Sequence, residues 1–269
     1  MFYLIPVLLS ILPQASADSS VPVDRTIVAL EVRADSGDVK AQLQLGLAYA
    51  TGSGVLASDA KAIVWFRKAA EQGNAAGEYS LGEMYFTGRG VPRDLFAAAK
   101  WIRLSAEHGD ARGQSNLAAM YLRGQGMAAN KVEAAKWMRK AADQGLPHAE
   151  FDLGVMYEDG SGVPKNDEEA ALWYRKAADQ GDLDAMNNLA FLLATSTDPR
   201  VLKPREAIPI AQKTVELRPD SATYLDTLAT AYFLAGQRDK AVETEKRALA
   251  LAPDNRSYQK ALQKYNAAK

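Results

Sequence analysis

The chain has no cysteine in its 269 residues, which excludes thiol catalysis, disulfide cross-links and cysteine-ligated zinc. Histidine is nearly absent too: only His108 and His148 occur. Neither has a third ligand at a metal-binding spacing, so no metal site is expected, and a solvated loop position is expected for both. An excess of one charge is also missing. The formal net charge is −1, leaving no electrostatic footprint for DNA, RNA or an anionic membrane. Long apolar runs are absent as well. The stretch from Phe2 to Leu12 would span only about 16 Å as a helix, roughly half a bilayer core.

That stretch has a different use. The N-terminus reads MFYLIPVLLSILPQASADSS, an apolar run broken by Pro13 and followed by Ala15-Ser16-Ala17. Small residues three and one positions before Asp18 are what a signal peptidase accepts, so residues 1–17 are expected to be a signal peptide cleaved after Ala17. No Lys or Arg precedes the run. An exported, periplasmic product follows, with no integral membrane segment after cleavage.

What the chain does have is a period. Stepping by 36 residues from Leu45 gives Leu81, Leu117 and Leu153; from Tyr49 it gives Tyr85, Tyr121 and Tyr157. All the tryptophans fall in one column, Trp65, Trp101, Trp137 and Trp173, followed two residues later by Arg67, Arg103, Arg139 and Arg175. The four units are 38–73, 74–109, 110–145 and 146–181. Self-similarity at this period marks a solenoid, in which each unit buries its apolar stripe against the next.

Within a unit, Ala41, Leu45, Ala48 and Tyr49 fall on one face of a first helix, and Ala62, Trp65, Phe66, Ala69 and Ala70 on one face of a second. Between them lies TGSGV, TGRGV, RGQGM or DGSGV. A single glycine loop after a strand could cradle a phosphate, but four evenly spaced copies between helices read as turns. The tryptophan column is expected to be core, so that Trp101→Ala costs about 3–5 kcal/mol. Each repeated arginine has an acid four residues on (Glu71, Glu107, Asp143, Asp179), predicting intrahelical ion pairs.

Beyond residue 181 the spacing changes. Met186, Leu189, Ala190, Ala207, Ala211 and Pro219 mark one further helix pair, and Leu225, Leu228, Ala229, Tyr232, Ala241, Ala248 and Pro253 another. The first of these carries five extra residues within TSTDPRVLKP, and in the second Glu245 occupies a position where an aromatic is usual. Residues 255–269 place Tyr258, Ala261, Leu262 and Tyr265 on one face, as a capping helix would; residues 18–37 form a lead-in whose end, Ala34 and Gly37, matches Ala70 and Gly73. The fold class expected is an all-α, right-handed α-solenoid of stacked helix-turn-helix repeats.

The motif A-x-x-x-LG-x-x-Y-x-x-G-x-GV, then A-x-x-W-x-R-KAA-x-x-G, resembles the Sel-1-like repeat over residues 38–181. The segment 182–254 is similar to two tetratricopeptide repeats. Proteins of these families hold protein or peptide partners, with the first helix of each unit lining the concave face. Mapped on this chain, the variable positions of that face are Tyr79, Phe86, Arg112, Leu122, Arg123, Phe151, Glu158 and Phe191. Aromatic and arginine anchors of this kind carry much of the energy of protein interfaces. The resemblance implies a non-catalytic adaptor of the cell envelope, with no cofactor and no catalytic residue. Host-directed binding is a further reading. So is a hydrolase of the penicillin-binding or β-lactamase type, as among cysteine-rich relatives. For the hydrolase, Ser58-Asp-Ala-Lys61 and Ser257-Tyr-Gln-Lys260 match S-x-x-K, but no S-D-N or K-T-G partner motif exists, and the paired cysteines of that branch are missing.

Overall fold

The computed structural model describes residues 25–267, so the expected signal segment and its cleavage point lie outside the described residues. Among the described residues there are fourteen α-helices and no strand, packed consecutively as antiparallel pairs. The chain is thus an all-α solenoid protein, as its periodicity predicts. It divides into two compact units, one ending at Gln144 and one beginning at Gly145.

The first unit opens with α1 (Arg25–Asp35), the expected N-terminal capping helix, followed by three hairpins. These are α2 (Val39–Thr51) with α3 (Asp59–Glu71), α4 (Ala75–Thr87) with α5 (Leu95–Glu107), and α6 (Ala111–Arg123) with α7 (Lys131–Asp143). All six hairpin helices have 13 residues, and short polar side chains set where they begin. Asp38, Ser58, Asn74, Asp94, Asp110 and Asn130 each accept from backbone N–H groups of the first turn, satisfying donors that have no helical partner. Each first helix stops at a left-handed glycine, Gly52, Gly88 or Gly124, a conformation without steric cost only for glycine.

The second glycine of the loop has another task. A Cβ on Gly90 would lie 2.6 Å from the carbonyl oxygen of Asp59, and one on Gly126 only 2.0 Å from that of Leu95. The turn of one repeat therefore rests directly on the start of the second helix of the repeat before. In the second repeat Arg89 reinforces this seat, donating to both oxygens of Asp59 at 3.1 and 2.6 Å and to the Ala50 carbonyl at 3.2 Å.

The centre of each hairpin is Phe66, Ile102 or Met138, all buried. The tryptophans one position earlier are less enclosed than expected. Trp65, Trp101 and Trp137 are half-buried, because the neighbouring column occupies the middle of the buried stripe and leaves them at its edge. Lys68, Lys100 and Lys140 lie 3.9, 5.2 and 3.9 Å from their ring centroids, so aliphatic stem and ammonium together cover the outer side.

The arginine column corrects the sequence pairing. Arg67 donates to the hydroxyl of Tyr85 at 2.8 Å, and Arg103 lies 5.5 Å from the ring centroid of Tyr121. Both reach 18 residues forward to the next repeat. At the N-terminal end Glu31 stands where this column would begin, and accepts from Tyr49 at the same separation, 2.8 Å.

A second polar latch closes each repeat. Gln72 donates to buried Gln42 and Gln144 to buried Gln114, both at 2.8 Å and 30 residues apart. Gln42 and Gln114 in turn donate to the carbonyls of Ala34 and Ala106. In the second repeat the same two positions are Glu78 and His108, whose Nδ1–H donates to the carboxylate at 2.8 Å. His108 thus holds the exposed turn position expected of it, just past α5, and from there partners the buried Glu78.

The second unit holds α8 (Pro147–Asp159) with α9 (Asp167–Asp179), α10 (Leu183–Thr195) with α11 (Pro204–Leu217), α12 (Ala222–Leu234) with α13 (Arg238–Leu251), and the last helix α14 (Arg256–Ala267). Trp173 and Tyr174 are fully enclosed here. Gln180 donates to Glu150 at 2.7 Å, repeating the latch. His148 lies within α8 and is half-buried, which pushes its ionisation down; unlike His108, it departs from the solvated loop expectation. The longer α10–α11 connection is ordered by Ser196, which donates to Asp167 at 2.5 Å and accepts from the amide of Asp198, with Val201 buried beneath it.

Candidate functional site

The first helices of neighbouring repeats, α4 and α6, share one face in the first unit, and there the structure assembles a cluster. Tyr79 on α4 is half-buried, and the guanidinium of Arg112 on α6 lies 4.6 Å from its ring centroid. Arg112 is held in that place by Asp110, the residue that caps α6, through bonds of 3.2 and 2.7 Å. Asn116, one turn further along α6, donates to the Tyr79 hydroxyl at 3.3 Å and to Glu83 at 2.9 Å. Burial pushes the Glu83 carboxyl above its usual range, against the opposing effects of Asn116 and Arg112. Burial also pushes the Tyr79 phenol up, with the Glu83 charge adding to it. A stacked cation–aromatic pair braced at both ends results, with the Arg112 side chain still half open to solvent.

Further along the same helices, Phe86 is half-buried. The guanidinium of Arg93 lies 5.8 Å from its ring centroid, and Arg93 Nε donates to the Phe86 carbonyl at 3.0 Å. Leu122 is half-buried and Arg123 exposed, at the last positions of α6. In the second unit Phe151 packs on Tyr174 with ring centroids 5.8 Å apart, and Glu158 accepts from the Tyr174 hydroxyl at 2.6 Å. Burial pushes the Glu158 carboxyl up. These two expected anchors therefore also serve the inside of the α8–α9 hairpin. Phe191 on α10 is 40% exposed.

Sequence reasoning missed Glu83, Asn116 and Asp110 in the first cluster and the Asp184–Tyr224 bond, 2.7 Å, which ties α10 to α12 in the second unit. The column of Glu83 otherwise holds Leu47, Ala119 and Val155, so only its departure from that apolar column could have flagged it.

No group of three or more His, Asp or Glu is placed to hold a metal ion among the described residues. A charged hollow at the start of α9 is lined by Lys165, Asp167, Asp198 and Arg200. Its cations are committed already: Lys165 pairs with Asp167 at 3.1 Å, and Arg200 with Asp198 at 2.7 Å and Glu168 at 2.9 Å. No helix among the described residues is long and apolar enough to cross a membrane.

Among solved structures, the chain is similar to c5321, a protective antigen of uropathogenic Escherichia coli strains with an SLR fold. The two are 32% identical with a TM-score of 0.59, over 88% of this chain and 58% of that one; the match thus spans little more than half of c5321's length. A Sel1 repeat protein from Oxalobacter formigenes is 26% identical with a TM-score of 0.63, over 84% of this chain and 97% of that one. A chain of the APC/C heterotetramer Cut9–Hcn1 shares the fold alone, at 14% identity and a TM-score of 0.51, over 90% of this chain and 46% of that one. No curated protein matches the sequence significantly. The Sel1 repeat itself matches four times without a gap, over residues 39–74, 75–110, 111–146 and 147–182, the same four hairpins that carry the latches and the tyrosine–arginine cluster. The chain belongs to the Sel1 repeat family.

Proposed function

We propose that this protein is an exported, non-catalytic adaptor that holds a protein or peptide partner along the face formed by the first helices of its repeats. Repeat proteins of this class are in general interaction scaffolds. The observation that carries the reading is the braced pair of Tyr79 and Arg112. An aromatic ring and a guanidinium fixed in advance lose little freedom on binding, and such residues dominate interface energetics. Phe86, Leu122 and Arg123 extend the same surface in the first unit. Phe151, Glu158 and Phe191 are its counterparts in the second, and residues 183–251 continue the binding array as tetratricopeptide-like hairpins. The partner is a protein segment and not a nucleic acid, since neither the net charge nor this face is basic enough to track phosphates. The envelope location rests on the signal-like N-terminus.

The test is selection of binding peptides from a displayed random library against purified residues 18–269. Selected peptides are expected to lose at least tenfold in affinity to the Arg112→Ala and Tyr79→Ala variants, while Lys246→Ala, on the exposed outside of α13, leaves affinity unchanged. Equal binding by all variants would displace the site from this face. Turnover of a chromogenic β-lactam, abolished by Ser58→Ala, would favour the hydrolase reading instead. The envelope reading is checked by intact mass of the secreted product, expected to begin at Asp18.

A further inference from the structure

In the repeated hairpins the centre of the second helix is Phe66, Ile102, Met138 or Tyr174, and in the next hairpin Ala211. In the last hairpin the equivalent residue is Glu245. Its side chain is 0% exposed, and neither carboxylate oxygen receives a hydrogen bond from any donor among the described residues. It lies in the apolar cluster of Ala241, Ala248, Tyr258 and Tyr265, the last two supplied by α14. The polar group beside it is a second carboxyl, that of half-buried Asp226 on α12.

Glu245, shut off from water and with no donor to either oxygen, cannot stay charged beside the half-buried Asp226 carboxyl, so one proton is shared between the two. What closes the site is α14. Tyr265 stacks on Phe233 with ring centroids 4.5 Å apart, its hydroxyl is 3.0 Å from that of Thr230, and Arg238 donates to the carbonyls of Tyr265 (2.8 Å) and Asn266. The groups facing Glu245 are thus the Asp226 carboxyl from α12 and the Tyr265 phenol from α14. On its own helix the adjacent Lys246 and Arg247 point outward and are exposed, and the Arg238 guanidinium is engaged by α14 carbonyls. Among the described residues no cation compensates a second negative charge.

We propose that α14 is a proton-dependent cap: it stays docked on α12 and α13 while Glu245 and Asp226 share a proton, and lets go when that proton is lost. As the last described element, α14 can move away without unfolding the hairpins before it, and its opening admits water to the enclosed Glu245 carboxyl. Burial, then the Asp226 charge, pushes Glu245 up to about 8, and burial pushes Tyr265 up to about 12, with both acids adding to the effect. Docking favours the protonated form, so it is complete in mild acid and weakens as pH rises through that value. Release uncovers Phe233 and the apolar side of α13, the surface on which a further helix would stack.

The test is hydrogen exchange by mass spectrometry on residues 18–269 between pH 6.5 and 9.5, expressed as protection factors corrected for intrinsic exchange. Protection over 256–267 is expected to fall at least tenfold across this range, while 183–234 keeps its protection. In Glu245→Gln, which keeps the shape and removes the charge, protection over 256–267 is expected to stay level. Constant protection in the parent protein, or an equal loss in Glu245→Gln, overturns the proposal. If Glu245→Gln does not fold, Asp226→Asn decides: without the opposing charge Glu245 ionises more easily, so the midpoint must shift to lower pH only if the bridging acid helps hold the proton. A midpoint displaced upward or unmoved overturns it.

Discussion

Gly126 has φ +67° and no room for a methyl group, whereas Gly109 has φ +92° and open space around it. Replacing either by alanine costs about 1–2 kcal/mol for the left-handed backbone. Only Gly126→Ala adds the collision with the Leu95 carbonyl, so its urea midpoint is expected to fall further than that of Gly109→Ala. The tryptophans part in the same way. Trp173, only 2% exposed, is expected to lose about 3–5 kcal/mol on truncation to alanine, and half-buried Trp65 distinctly less, measured by the same denaturation. Gln114→Ala removes both the acceptor of Gln144 and the donor to the buried Ala106 carbonyl, at a cost of about 1–3 kcal/mol. The leucine, tyrosine and alanine columns were legible in the sequence because a single period places them. The Arg67–Tyr85 pairing was not, since an acid at the favourable helical distance, Glu71, offered a nearer partner. Only the packing of one repeat on the next shows the arginine turned forward. Tyr79 and Arg112 stood out as variable among fixed neighbours. Their braces Asn116 and Asp110 look like ordinary helix-surface and capping residues until α4 and α6 are side by side.

The helix pairs of residues 38–181 followed from the apolar period and the glycines between and after the helices, both local signals, so the elements were the most readable level of this chain. The α10–α11 connection was legible only as an insertion. Its order comes from Ser196, which joins Asp167 of α9 to the Asp198 amide, and Ser196→Ala is expected to cost about 1–2 kcal/mol and to raise proteolysis between residues 197 and 203. Glu245 was conspicuous as an acid at a position where an aromatic is usual, but its meaning depends on α14 closing above it. The same group gives a pH slope to stability. Unfolded, Glu245 titrates near its ordinary value of 4.5; folded, near 8. The folded chain therefore binds the proton more tightly, and its stability is expected to decline as pH rises between those values and to level off beyond. Thermal midpoints of the parent minus Glu245→Gln across that window measure the slope.

At the scale of the whole chain, three of the four tryptophans lie in the first unit and one in the second. Helicity is spread over both. Arrays held together by nearest-neighbour contacts lose cooperativity as they lengthen, so tryptophan fluorescence and far-ultraviolet circular dichroism are expected to report non-coincident urea transitions. Coincident curves would show both units melting as one. The latches carry a further consequence at the level of the gene. Gln42–Gln72, Glu78–His108, Gln114–Gln144 and Glu150–Gln180 each begin and end inside one repeat, and every Sel1 repeat carries a tyrosine in the column that Arg67 and Arg103 reach forward to. Unequal recombination that deletes or duplicates one whole repeat would leave each of these latches with its mate, and only bonds between repeats, such as Asn116 to Glu83, would be lost. Such a chain can gain or lose length in evolution by whole repeats, at little cost to folding.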